Sequence, residues 1–120
     1  MLLRFACLAV LLAGCAANDD LSGDWIGTWT GGGVNGTITE TLSQSGDQIT
    51  GTAAFTGSPC WNAAELSLVI AGANLSGSAL AGQIRVDMSA TWSTSHIDGT
   101  FSSVSGACSG TGTFSLDRQD

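Results

Sequence analysis

Apolar and polar residues alternate with a period of two along most of the chain after Leu21. The clearest run extends from Ile84 to Trp92, where apolar residues occupy every second position and polar ones occupy most positions between them. Such alternation predicts strands that bury one face and expose the other, as in an antiparallel sheet. No window of ten or more residues after the first fourteen has a convincing helical stripe. We therefore expect an all-β domain.

The same alternation recurs in six further segments, which turn signals separate from one another. The apolar residues that share a face in the other segments are Trp25 and Trp29; Val34, Ile38 and Leu42; Ile49, Ala53 and Phe55; Leu66, Leu68 and Ile70; Ile97, Gly99 and Phe101; and Phe114 and Leu116. The turn signals are rich in glycine, serine and asparagine, at 31–33, 45–47, 57–59, 71–74, 81–82, 93–95 and 105–106. Seven turns separate eight short strands.

Eight antiparallel strands in about a hundred residues predict a single up-and-down barrel, and a two-sheet β-sandwich is the alternative. A recurring pattern of an apolar residue, any residue, glycine and then threonine or serine, as at Trp25 to Thr28 and Ile97 to Thr100, places glycine on the inward face. Inward glycines either let a small sheet bend and close or leave space inside it.

The first fourteen residues read as a signal peptide, with one charge at Arg4 followed by a short apolar run. The stretch Leu12-Ala13-Gly14-Cys15 resembles the bacterial lipobox, which implies cleavage before Cys15 and lipidation of its thiol. An ordinary secretory signal cut near residues 16–17 is the alternative. We assign 1–14 to the signal, 15–20 to a lipidated tether and 21–120 to the barrel domain. Ala16 after the lipidated cysteine implies sorting to the outer membrane, facing the periplasm or the cell surface.

The charge balance excludes some partners. After processing, only Arg85 and Arg118 are basic, against ten acidic residues, and the chain has no lysine. Nucleic acid is therefore excluded as an expected partner, because phosphate binding depends on clustered basic residues. Membrane attachment is expected to depend on the acyl chains on Cys15 and not on a basic patch.

Two cysteines, Cys60 and Cys108, remain in the predicted barrel domain after Cys7 leaves with the signal and Cys15 takes the lipid. A disulfide between them is the expected state beyond the inner membrane, where small domains gain stability from such a bond. A reactive or metal-binding pair is the alternative, but neither a nearby histidine nor a Cys-x-x-Cys spacing supports it.

The stretch Gly23-Asp24-Trp25 on the first strand resembles the Gly-x-Trp of lipocalins and related calycin barrels, and residues 21–25 also look like the opening of avidin-type barrels. The lipocalin resemblance implies that Arg118 packs over Trp25 and closes one end. The overall pattern is similar to small glycine-rich bacterial barrel lipoproteins of no assigned function, and that similarity implies no activity.

Four residues are candidates for ligand binding. Glu40 shares the inward face with Ile38 and Leu42, where an ionised carboxylate is costly unless it is paired. It is therefore a ligand anchor, a group in water at the barrel mouth, or a group paired with a buried polar side chain. Met88 belongs to the inward set of the clearest strand. Trp61 and Trp92 either line a ligand mouth or fill the core.

No catalytic set is expected. The only histidine, His96, ends the turn at 93–96 and lies near Asp98, but no serine occupies a strained nucleophile turn, so we interpret it as a solvent-exposed loop histidine. One histidine with scattered carboxylates also predicts no metal site, and no cofactor is expected. The sequence thus favours a non-catalytic, lipid-anchored envelope protein. It binds either a small apolar or amphipathic ligand inside the barrel or an envelope protein through its loops.

Overall fold

The computed structural model describes residues 21–103 and 110–119. The predicted signal peptide, the tether with Cys15, and Cys108 lie outside these described residues. The described residues form eight β-strands and no helix: β1 (Gly23–Gly31), β2 (Val34–Ser45), β3 (Gln48–Phe55), β4 (Ala63–Ala71), β5 (Asn74–Ala81), β6 (Ile84–Trp92), β7 (His96–Ser103) and β8 (Gly110–Arg118). None of them forms a helix long and apolar enough to cross a membrane.

Each strand pairs antiparallel with the next one in the chain, and β1 also pairs with β8. The sheet is therefore a closed up-and-down barrel, which confirms the predicted fold class. The alternative two-sheet sandwich is wrong, because every strand has a hydrogen-bonded neighbour on both sides. Closure removes the unpaired strand edges that an open sheet would expose.

The strand directions give the barrel two distinct ends. One end, which we call the base, carries Leu21, Gln119 and the turns β2–β3, β4–β5 and β6–β7. The other end, the mouth, carries the turns β1–β2, β3–β4 and β5–β6, together with the end of β7 and the start of β8. Both ends of the described barrel therefore leave from the base.

The register gives the barrel a stagger of ten residues. Gly110 is reached from Gly23 by following paired positions from strand to strand around the sheet. The pairing of Gly31 with Gly112 places Gly110 level with position 33, two residues beyond the end of β1. Position 33 is ten residues beyond Gly23, where the path around the sheet began. Such a stagger tilts the strands relative to the barrel axis, as closure of a sheet requires.

The inward residues of all eight strands fill the core, as the alternation predicts. The largest fully buried side chains are Trp25, Leu21, Ile38, Ile49, Ile97 and Leu116. Val34 departs from its predicted inward set, because it starts β2 at the mouth hairpin and is 39% exposed. The turn before it contains Gly32 and Gly33 with φ of 60° and 84°, the left-handed conformation that a two-residue hairpin of this type requires.

The inward glycines lie where neighbouring strands approach closely. A Cβ on Gly27 would lie 1.7 Å from the carbonyl oxygen of Ser115 on β8, and one on Gly36 would lie 1.8 Å from that of Thr56. Of the two roles that the sequence left open, these contacts show the first: glycine lets the sheet bend and close. At Gly27 and Gly36 the space that a side chain would occupy is already taken by backbone.

The Gly27→Ala substitution is expected to lower the free energy of unfolding by roughly 3 kcal/mol or more, because the new methyl group must displace the β8 backbone at the closing seam. Urea unfolding followed by circular dichroism measures this loss. Gly82→Asn is the control, since Gly82 has φ of 64° and open space around its Cβ position. An equal loss in both variants would contradict the close-approach explanation.

Candidate functional site

An apolar cavity occupies the mouth half of the barrel interior. Its walls come from all eight strands and from the β3–β4 loop, and they present only apolar surface: Trp29, Ile38, Phe55, Trp61, Ala64, Ala79, Ala81, Val86, Met88, Phe101 and Phe114. Five of these residues are aromatic. The alanines face them from β4 and β5, so that small side chains on one wall leave room opposite large ones on the other.

The volume that the centre of a water molecule can occupy in this cavity is about 30 Å³. That is room for a methyl or ethyl group or one to two waters, well below the space that encloses a drug-sized ligand. A groove of about 150 Å³ adjoins the cavity at the mouth and shares Trp29, Trp61 and Phe101 with it. A longer ligand would therefore lie partly in the cavity and partly in the groove.

The aromatic walls are held by specific contacts. Trp29 and Phe101 meet edge to face, with ring centroids 6.2 Å apart, and the indole N–H of Trp29 donates to the carbonyl of Thr56 at 3.0 Å. The Ser58 hydroxyl accepts hydrogen bonds from the backbone N–H groups of Cys60 and Trp61 at 3.1 and 3.2 Å. These bonds order the β3–β4 loop, so Trp61 is presented to the cavity from a defined turn.

Glu40 lies beneath this cavity, inside the barrel. It is only 4% exposed, and its Oε2 atom has no hydrogen-bond partner among the described residues. The register places Trp25 beside it on β1 and Ala53 on β3, and Ala53 in turn pairs with the cavity residue Ala64. Glu40 is two residues further toward the base than the lining residue Ile38, about 7 Å along the strand.

Burial raises the pKa of the Glu40 carboxyl to about 7, because desolvation disfavours its ionised form. Desolvation is the only cause of the shift, and no neighbouring cation offsets it. Arg118, the other charged residue with inward parity, is directed to Trp25 and to backbone carbonyls at the base. Of the two strands beside β2, β1 has one acidic residue, Asp24, which lies on the outer face, and β3 has none.

The four predicted ligand residues do not converge on one point. Trp61 and Met88 line the cavity, whereas Glu40 lies below it. Trp92 is half-buried at the base, where its indole N–H donates to the carbonyl of Gly72 at 3.0 Å. The sequence analysis did not single out Trp29, Phe55, Phe101 and Phe114 as cavity residues. Alternation placed these four inward, but it carries no information on which inward residues meet at the mouth.

The base is closed by the residues that the lipocalin resemblance indicated. The Arg118 guanidinium carbon lies 4.5 Å from the centroid of the Trp25 ring, and its Nε and Nη1 donate to the carbonyls of Thr94 and Ser22 at 2.6 and 2.8 Å. Gly23 lies below it with φ of 130°, and a Cβ there would come within 3.2 Å of Nη1. The Trp25 indole N–H donates to the carbonyl of the fully buried Leu21 at 3.0 Å.

Replacing Arg118 with alanine is expected to lower the free energy of unfolding by about 1 to 3 kcal/mol, because it removes the stacking on Trp25 and leaves carbonyls at the base without their donor. Arg85→Ala is the matched control, because Arg85 is exposed and pairs only with Asp87 on its own strand. We expect it to change stability by less than about 0.5 kcal/mol. Equal losses in chemical denaturation would argue against the closing role.

His96 takes part in a polar cluster on the outer face of the barrel. It starts β7, and so does not belong to the preceding turn where the sequence suggested it. Its Nδ1 lies 2.7 Å from Asp117, its Nε2 lies 2.8 Å from Asp98, and the Ser115 hydroxyl is 3.3 Å from the same Nε2. Hydrogen bonds to Asp117, and secondly to Asp98, raise the pKa of His96. The pKa of Asp98 is lowered, mainly by its hydrogen bond with Ser115.

This cluster contains serine, histidine and aspartate within contact distance but is not arranged for nucleophilic catalysis. A general base needs a free ring nitrogen facing the serine. Here carboxylates contact both ring nitrogens, which favours the imidazolium form, and Ser115 is hydrogen-bonded to Asp98. The part of the chain that the structure describes also contains no group of three or more His, Cys, Asp or Glu side chains placed to hold a metal ion.

Cys60 lies in the β3–β4 loop at the mouth. Its expected disulfide partner, Cys108, is outside the described residues, so the disulfide remains a prediction. The chain leaves β7 at Ser103 and enters β8 at Gly110, and both of these residues are also at the mouth. The described ends of the connection that contains Cys108 are therefore at the same end of the barrel as Cys60.

Neither the models of known protein families nor the curated proteins include a match to this sequence.

Stability is expected to fall as the pH rises from about 4.5 to about 7 because of Glu40. The folded protein retains the Glu40 proton over this range, whereas the unfolded chain loses it, so ionisation favours unfolding. The loss should total about 3 kcal/mol and level off above pH 7. It is measured as the difference in unfolding free energy between the parent and Glu40→Gln, which cancels the contribution of His96. A difference that does not change with pH would contradict the buried, protonated state.

Proposed function

We propose that this protein is a non-catalytic binding protein of the bacterial envelope, anchored by lipid on Cys15, whose barrel mouth receives the apolar part of a small apolar or amphipathic ligand. The observation that carries the proposal is the mouth cavity, which is lined only by apolar side chains and continues into an open groove. Apolar pockets with few polar groups are the usual form of small-molecule sites in barrels.

The position of the proposed anchor supports a site that faces away from the membrane. The barrel begins at Leu21 on the base, six residues after Cys15. Six residues span at most about 20 Å, so the proposed lipid would hold the base near the bilayer and leave the mouth on the far side. A ligand would then enter from the aqueous compartment, and outer-membrane sorting, implied by Ala16, would place that compartment in the periplasm or outside the cell.

The second candidate is an envelope interaction or inhibitor module that acts through the loops of a filled barrel. The small enclosed volume of about 30 Å³ favours that candidate, since a short apolar side chain of a partner protein would also fit it.

Binding of hexan-1-ol tests the proposal, because the four indole N–H signals in a proton–nitrogen NMR spectrum report on different places. Trp29 and Trp61 line the cavity, whereas Trp25 and Trp92 lie at the base. The sample is the chain from residue 15 with Cys15→Ser, secreted into a bacterial periplasm, so that neither acyl chain nor detergent competes. We expect the Trp29 and Trp61 signals to shift saturably while the other two stay in place.

Ala64→Met should weaken this binding at least about fivefold, because the longer side chain fills the cavity. Ala63→Met is the matched control, since Ala63 is the neighbouring residue on the exposed face of β4. Ala79→Val adds a smaller side chain to the cavity wall, and it replaces Ala64→Met in this test if that variant does not fold. Equal binding by both β4 variants, or shifts of all four indole signals alike, would count against a mouth site and favour the loop-mediated role.

A further inference from the structure

The interior of the barrel contains a buried carboxyl group without a partner beside a wholly apolar cavity. Glu40 is 4% exposed, and its Oε2 has no hydrogen-bond partner among the described residues. An unpaired buried polar atom destabilises the folded protein, and more so when it is charged. A ligand that supplies a hydrogen-bond donor to this atom would remove that cost, so Glu40 favours ligands with a donor at their inner end.

Small side chains connect Glu40 with the cavity. The register leads from Glu40 to Ala53 and then to Ala64, which lines the cavity, so only methyl groups occupy these inward positions on β3 and β4. Along β2 the distance from the lining residue Ile38 to Glu40 is about 7 Å. A linear stem of about five or six carbons is long enough to bring its end group from the mouth to the carboxyl. Because the cavity itself has room for only about two carbons, the side chains between the groove and Glu40 must move apart when this stem binds.

The charges of the molecule favour a cationic end group. The barrel domain has seven acidic residues among those described and two arginines, one of which is stacked on Trp25 at the base. Such a balance attracts cations and repels anions at long range. At the mouth, Trp29, Phe55, Trp61 and Phe101 offer aromatic faces, which also attract a cation passing over them.

We propose that the ligand of the mouth site carries an amine at the end of an apolar stem, with the ammonium group bound to the Glu40 carboxylate and the stem between the aromatic side chains of the cavity. This inference rests on the proposed function and specifies the ligand class of the same site. The ammonium donates to Oε2, and its charge compensates the buried carboxylate. Carboxylic acids and other anions are excluded, because they would place two negative charges together.

Titration with three ligands of equal length, hexylammonium, hexan-1-ol and hexanoate, tests the inference with the same indole N–H signals. Hexylammonium is expected to bind roughly tenfold tighter than hexan-1-ol, and hexanoate more weakly than either. Glu40→Gln should lower the affinity for hexylammonium to within about twofold of that for hexan-1-ol and should leave the affinity for hexan-1-ol unchanged. Glu65→Gln is the matched control, because it removes one carboxyl group from the exposed face of β4.

Proton release on ligand binding supplies a second measurement. If Glu40 had a purely structural role, ligand binding would release no proton from it. At pH 6 the buried carboxyl is mostly protonated, so binding of hexylammonium should release close to one proton, whereas at pH 8 it should release few. Calorimetry in buffers of different ionisation enthalpy counts these protons, and Glu40→Gln should release none at either pH.

The outcomes separate this inference from the proposed function. If hexan-1-ol and hexylammonium both bind at Trp29 and Trp61 with equal affinity, or if the Glu40 and Glu65 variants behave alike, the ligand class is wrong and the mouth site stands. If none of the three ligands shifts these signals, the mouth site and the amine ligand are both wrong.

Discussion

The pairing of β1 with β8 is the interaction on which the rest of the structure depends, because it converts an eight-stranded sheet into a barrel with an inside. Gly27 permits it by leaving room for the backbone of β8, and Gly112 leaves room for that of β1. At the base, Arg118 secures the seam by stacking on Trp25, its partner across the two strands. Without this closure the apolar faces of the strands would have no shared interior to fill.

Closure also gives the two ends of the barrel different interiors. The base is filled by Leu21 and Trp25 and covered by Arg118, while the mouth contains the aromatic cavity. An even number of antiparallel strands returns the chain to the end where it started, so both ends of the described barrel leave from the base, opposite the cavity. A protein attached through a short tether at its base can therefore present its mouth to the surrounding solution.

The buried carboxyl of Glu40 is the main exception to an otherwise apolar interior. Burial without a partner raises its pKa and costs folding free energy, and a protein of this size has little stability to spare. In the proposed ligand site, the position of Glu40 below an apolar cavity accounts for that cost, because a donor on the ligand would satisfy the carboxyl. Residues that violate folding preferences in this way are often those that a binding site requires.

The sequence by itself determined the strands, their faces and the barrel, because alternation with a period of two reports directly which side chains are buried. It placed Glu40 inside for the same reason, and the Gly-x-Trp stretch pointed to the base closure by Arg118. Only the tertiary structure decided which side chains meet. His96 on β7 reaches Asp117 and Ser115 on the neighbouring strand β8, and Trp29 on β1 reaches Phe101 on β7, two strands away. It also decided that Gly27 and Gly36 serve close strand approach and do not create space. These outcomes depend on register and stagger, which arise from closing all eight strands at once and leave no local signal in any one of them.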